Sequence, residues 1–249
     1  MRNYKVKKDT EDVRDLIFTK VHLARPKKID LRKLMSPIVD QGQLGSCTAN
    51  AIVSGLREYL SLQKADVTRL SRLFLYWQER NLEGTVNEDS GAMIRDGMKV
   101  LNQMGVCPEL DFPYDITKFT QTPSPISEED AAQYKIAAYE RVLDLEALKV
   151  SLAHGLPVVM GFIVYESFES PEVATTGMVP MPDKRLEKQL GGHAVCAVGY
   201  DDAKQWVIVR NSWGTKWGKK GYCYFPYAMF ADKHLISDMW TSQIDVELK

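Results

Sequence analysis

The chain changes its hydrophobic period half-way along, and that change limits which folds it can adopt. Between residues 46 and 105 apolar residues recur at helical spacing. Ile52, Val53, Leu56, Tyr59 and Leu60 share one face behind Ser46, a candidate N-cap. Ser71 opens a second run through Leu73, Phe74, Tyr76 and Trp77. A third runs from Ala92 to Met104, with Ile94, Met98 and Leu101 inward and Gly105 as its stop. Pro108, Pro113, Pro123 and Pro125 then mark a long surface loop, and Ser127-Glu-Glu-Asp130 the start of a short helix. Beyond it, Ala137–Leu143, Pro157–Val164, Ala194–Tyr200, Trp206–Arg210 and Gly221–Phe225 read as strands. A helix at Leu145–His154, closed by Gly155, separates the first two, and Asp201-Asp202 is a hairpin signal. A helical half before a strand-rich half predicts an α+β chain in two lobes, about 46–115 and 126–249. The cleft between them is the expected place for a ligand.

Composition narrows the class. The 249 residues, 45% hydrophobic, can bury a sizeable core. Lys+Arg 32 against Asp+Glu 33 leaves a net charge of -1, which argues against a strongly basic nucleic-acid binder and against a polyacidic tail. With no run of eighteen apolar residues, no membrane-spanning helix is expected. The N-terminal MRNYKVKKDTEDVRD has basic residues but lacks the apolar stretch of a secretory signal. Four cysteines are too few for a disulfide scaffold. Reduced thiols in the cytoplasm or another reducing compartment are expected, with unconventional export left open. No Cys/His spacing suits zinc and no Gly-rich phosphate loop opens a helix, so neither metal nor cofactor is expected.

Three segments carry chemistry. The first is Gln41-Gly-Gln-Leu-Gly-Ser-Cys47. A thiol at the first turn of a helix meets unpaired backbone N–H groups and the positive end of the helix dipole, which favour the thiolate. The glycines before it permit a tight turn that aims the sulfur outward. A buried apolar cysteine at a helix start is the other reading of this segment alone. The second is Gly191-Gly-His193-Ala, a histidine at the start of an apolar strand. It can be a base, or a core histidine satisfied by backbone. The third is Asn211-Ser-Trp213-Gly, followed by Trp217-Gly and Gly221-Tyr222. An asparagine oxygen can fix an imidazole tautomer, and an indole can shield that bond from water. A glycine-rich turn with aromatic packing is the alternative.

In the order Gln, Cys, His, Asn, these segments resemble the papain-like cysteine peptidases, in a prokaryotic-style form without the usual disulfides or long prosegment. Ile29-Asp-Leu-Arg resembles the family's mature start, Asp89-Ser-Gly91 its non-primed loop, Phe112-Pro-Tyr114 its crossing segment and Gly155-Leu-Pro-Val158 a strand start. His193 lies 146 residues after Cys47 and Asn211 lies 164 after it. The family interval is about 130–150, so the later lobe is expected to carry small insertions. The resemblance implies a two-lobed fold, with a helical lobe and an antiparallel β-barrel-like lobe flanking the active-site cleft. Residues 29–249 would form the peptidase domain and 1–28 an N-terminal extension.

It also implies roles: Cys47 as nucleophile, His193 as base and then acid, Asn211 orienting the ring, and Gln41 donating to the oxyanion beside the Cys47 N–H. Gly91 and Ser90 would border an extended substrate, with Ala92, Met93, Gly161, Gly192, Ala194 and Trp213 around the site. The floor of the selectivity pocket falls near Asp238 or Met239. Asp238 there favours Arg or Lys, while Met239 there favours apolar side chains, the default the resemblance implies. Three positions depart from the family pattern: Leu44 in place of a disulfide cysteine, Thr48 in place of an aromatic, and Gly192 before the histidine.

The implied activity is hydrolysis of peptide bonds through an acyl-enzyme. A non-catalytic peptide-binding relative and an acyl transferase on the same fold are the alternatives. The expected partner is a peptide or protein substrate met by a monomer, with no nucleic acid and no membrane. Val13 and Leu16-Ile-Phe18 suggest that residues 1–28 form an arm, with packing away from the cleft favoured over packing across it.

Overall fold

The computed structural model describes residues 3–19 and 25–244. Seven strands make one sheet: β1 (Lys28–Asp30), β2 (Ala138–Val142), β3 (Val158–Tyr165), β4 (Gln189–Asp201), β5 (Trp206–Arg210), β6 (Tyr222–Pro226) and β7 (Ile236–Gln243). Their order is β2-β7-β3-β4-β5-β6, with β1 also pairing β4, and every pairing is antiparallel. Among the described residues nothing pairs β2 with β6, so the expected barrel-like lobe is an open sheet. Its β4 is longer than the apolar run Ala194–Tyr200, because Gln189-Leu-Gly-Gly192 extends the ladder on β3. His193 therefore lies inside a strand rather than at its start.

The helical part is laid against this sheet. Helix α1 (Cys47–Asn50) runs on through a wider helical stretch, Ala51–Arg57, into α2 (Glu58–Leu62). In the middle stretch hydrogen bonds reach back five residues, as from the Glu58 N–H to the Val53 carbonyl. Helices α3 (Arg72–Leu82) and α4 (Ile94–Gln103) pack beside it. The shorter α5 (Pro125–Ala131), α6 (Leu145–Ala153) and α7 (Pro171–Thr176) lie later in the chain. Ser71 caps α3 by accepting from the Phe74 N–H. Ser46 does not cap α1: its hydroxyl pairs with the Tyr114 hydroxyl at 2.5 Å instead. The short helix expected at Ser127 starts two residues earlier, with Ser124 as its cap and Pro125 as its first residue.

Close approach of helix to sheet depends on Gly55. A Cβ there would lie 2.6 Å from Cys196 Cβ and 2.9 Å from its sulfur. Gly55→Ala is therefore expected to lower the melting temperature. Overpacking costs about 1–3 kcal/mol, against roughly 1 kcal/mol gained in helix propensity. At about 2–4 °C per kcal/mol for a chain of this size, calorimetry can resolve the difference. A raised melting temperature would show that helix and sheet have room to separate.

Candidate active site

Two backbone ties join the first of the three chemical segments to the third. The Gln41 N–H donates to the Ser212 carbonyl at 2.9 Å, and Asp40 bridges to Trp213. The turn before α1 is thereby fastened to the loop after β5. The Gln41 side chain lies along the same seam: its Oε1 accepts from Ser212 Oγ at 2.6 Å and its Nε2 donates to the Leu44 carbonyl at 2.9 Å. An amide nitrogen has two N–H donors, so one remains beyond the Leu44 bond. Tyr114 adds a third tie, donating to the Gln41 carbonyl at 3.0 Å and meeting Ser46 Oγ.

His193 is fixed on two sides. Its Nε2 lies 2.9 Å from Asn211 Oδ1, and its ring stacks on Trp213 at 4.8 Å and 26°. Asn211 Oδ1 also accepts from the Ser212 N–H, which holds the amide oxygen toward the ring. A hydrogen on Nε2 completes that contact, and in that tautomer Nδ1 is the basic ring nitrogen. Cys47 begins α1 beside Ala194, the next residue of β4, and has no exposed surface. Burial pushes its thiol up to about 12, opposed by the backbone N–H groups of Ala194, Thr48 and Cys47 itself. Cys107 and Cys196 are also pushed up to about 12, and Cys223 well above the usual thiol range. Thr48 donates to the buried Glu79 carboxyl at 2.7 Å, so the hydroxyl that replaces an aromatic here has a buried partner.

The N-terminal arm, expected away from the cleft, lies in it. The Val6 N–H donates to the Gly192 carbonyl and the Lys7 N–H to the Ala92 carbonyl, both at 3.1 Å. Lys5 bridges to Gly192 and Lys7 to Met93, both parallel. A Cβ on Gly91 would lie 1.9 Å from the Lys5 carbonyl oxygen, and one on Gly192 would lie 2.7 Å from the Val6 carbonyl oxygen. These glycines leave room for a backbone to pass. The arm's side chains alternate between walls as in any extended strand. Tyr4 packs edge-on to His193 and beside Trp213. Val6 and Lys8 line a cavity with Phe162, Gly192, Ser237 and Asp238. Lys5 and Lys7 turn the other way, to Asp89 and Glu83.

The residues that suggested an arm are not the ones in the cleft. Val13 and Leu16 are exposed, while Phe18 is buried where residues 16–18 run beside Arg141 of β2. The useful signal was the alternation of Tyr4, Val6 and Lys8 with Lys5 and Lys7.

Asp238 lines the cavity, and Met239 lies in the core. The cause is a bulge: β3 advances from Val159 to Gly161 while β7 runs from Trp240 to Ser237. Asp238 takes φ +51 there, and its Oδ2 accepts from the Asp9 N–H at 3.2 Å. Gly161 pairs with Ala194 and faces Ile94 and Ser237. Ser90 Oγ is bonded to Thr85 Oγ1, at the loop edge. No helix among the described residues is long and apolar enough to cross a membrane, and no group of three or more potential metal ligands occurs among them.

The model of the papain family cysteine proteases matches residues 25–237. A peptidase C1-like protein of Acanthamoeba polyphaga mimivirus is 43% identical over 238 residues, covering 88% of this chain and 76% of that one. Cysteine proteinase 1 of Entamoeba histolytica is 30% identical over 215 residues, covering 81% of this chain and 64% of its own. The crystal structure of xylellain, a cysteine protease from Xylella fastidiosa, superposes with TM-score 0.89 at 38% identity and covers 98% of this chain and 96% of that one.

The arm's far anchor is pH-sensitive. Asp9 accepts from Trp240 Nε1 at 2.7 Å and from the Arg95 N–H at 3.1 Å. Around it Asp12, Asp15 and Asp238 share Arg95 and Arg141. Burial first, then the charge of Asp238, push the Asp9 carboxyl up to about 7. A carboxyl raised on docking favours the docked arm in acid and stops favouring it as pH rises through that value. Asp12 moves the opposite way, held low first by Arg14 and then by Arg95, so its pair survives acidification. Hydrogen exchange at the Val6 and Lys7 amides, corrected for intrinsic rate, is expected to show protection falling between about pH 4 and 7. Asp9→Asn should keep it level. A wild-type profile as flat as that of the variant would rule this anchor out.

Proposed function

Because the chain belongs to the papain family of cysteine proteases, we propose that it hydrolyses peptide bonds with Cys47 as nucleophile and His193 as its base. The observation that carries this reading is a histidine on β4, stacked on Trp213 and held through Nε2 by Asn211, with its chain neighbour Ala194 meeting a cysteine at a helix start. Nδ1 takes the thiol proton, and the thiolate sulfur then attacks the carbonyl carbon. The tetrahedral oxyanion is held by the Cys47 N–H and the remaining Gln41 amide hydrogen. The same imidazole returns the proton to the departing amine. A water then attacks the thioester and releases the acid, with His193 again accepting a proton.

The structure describes a covered state, and in this reading it is latent. Tyr4 lies on His193 and Trp213, the arm backbone fills the channel between Gly91 and Gly192, and Cys47 is unexposed. A buried thiol at about 12 is protonated at neutral pH. Withdrawal of the arm admits water and substrate, and the thiolate–imidazolium pair forms then.

Cys47→Ala should abolish turnover of a peptide library. Gln41→Ala should lower kcat by roughly 10²–10³, the usual loss for one oxyanion donor, with little change in ground-state peptide binding. Turnover that survives Cys47→Ala would end the proposal. Lys5→Gln combined with Lys7→Gln should raise the rate at which an electrophile labels Cys47. An unchanged rate would mean that the arm does not limit access.

A further inference from the structure

The arm is a peptide already seated in the cleft, and its contacts identify what the cleft holds well. Lys5 Nζ lies 3.2 Å from Asp89 Oδ2 and also donates to the Asp89 carbonyl. Lys7 Nζ pairs with Glu83 Oε2. Both carboxylates are also held by the helical part, and Asn3 Nδ2 of the arm donates to Asp89 Oδ2 at 3.3 Å. Asp89 Oδ1 accepts from the Gly45 N–H at 2.9 Å and from the Tyr76 hydroxyl at 2.6 Å. Glu83 Oε1 accepts from the Met93 N–H at 2.8 Å. With the arm seated, the Glu83 side chain is 7% exposed and that of Asp89 18%. Asp96 adds a third carboxyl next to Glu83, and burial and that neighbour raise its pKa. Lys7 and Arg95 are among the cations that offset this wall. When the arm leaves, Lys5 and Lys7 leave with it.

We propose that Asp89 and Glu83 select substrates carrying Lys or Arg at two positions separated by one residue. The proposal rests on the reading that the arm occupies the substrate channel. The spacing follows from strand geometry: positions i and i+2 face one wall, here the helical one, and i+1 faces the β wall. It holds for either chain direction, because alternation is the same read both ways. The β wall offers the intervening side chain the place of Val6, against Phe162 and Gly192. Adjacent basic residues place only one charge on the acidic wall.

The test separates binding from turnover. In the 249-residue chain, Lys5→Gln and Lys7→Gln loosen the arm and Cys47→Ala removes hydrolysis. Fluorescence anisotropy then compares extended peptides containing Lys-Val-Lys, Gln-Val-Gln and Lys-Lys-Val. The first is expected to bind at least tenfold tighter than the second, and tighter than the third. Glu83→Gln should weaken it roughly tenfold, as loss of one charge-assisted hydrogen bond does. Asp89→Asn, which keeps an acceptor for the Gly45 N–H, should do the same. Equal affinities for the three peptides, or a preference that survives both substitutions, would overturn the proposal. Failure of the protease reading would show separately, as no peptide cut by the chain that retains Cys47.

Discussion

The pairing of β4 with three other strands is the constraint on which the site depends. β3 and β5 hold it over most of its length and β1 closes its end. His193 pairs with Phe162 of β3, and β5 grips the same strand from Cys196 onward, so the histidine cannot shift without breaking ladder bonds. The imidazole is therefore aimed by backbone geometry before Asn211 or Trp213 touches it. The same strand supplies the Ala194 N–H beside Cys47, the Gly192 carbonyl that the arm binds, and Cys196 against Gly55. Helix, cysteine, histidine and channel wall are thus referred to one element. Tight packing at Gly55 holds the helix that Cys47 begins close against that strand.

The second constraint is a seam rather than a core. Asp40 and Gln41 are stitched to Ser212 and Trp213, while Tyr114 joins that turn to Ser46. These bonds are polar and lie between segments far apart in the chain. They fix the relative position of the two parts without filling the space between them, which leaves a channel open to a strand. Glycines at 91 and 192 widen it to the thickness of a backbone. A cleft built this way recognises main chain first and side chains second.

Most of the helical part could be read from the sequence because its signals are local. Ser71 and Gly105 mark ends that the structure keeps, and the 3.6-residue period locates the inward faces of α3 and α4. The chemical residues were legible because cysteine, histidine and asparagine stand in glycine-rich, distinctive surroundings. What escaped was set by distant partners. Ser46 looks like a cap, but Tyr114, sixty-eight positions away, claims its hydroxyl. β7 and its bulge at Asp238 depend on how β3 pairs, which no local pattern encodes. The arm was sought through apolar residues, whereas its docking uses backbone, lysines and carboxylates, which in sequence look like a solvated charged tail.

The arm is held again a short way along the chain, where residues 16–18 run on the edge of β2. Between Asp9 and Leu16 only six residues span the two attachments. Occupation of the cleft is therefore a unimolecular event, governed by an effective concentration in the millimolar range or above for so short a tether. Dilution does not empty the channel, and a free peptide must compete with a neighbour that never diffuses away. Cutting the chain between those attachments would turn the same contacts into an ordinary bimolecular complex, whose lifetime and concentration dependence are those of any dissociable ligand.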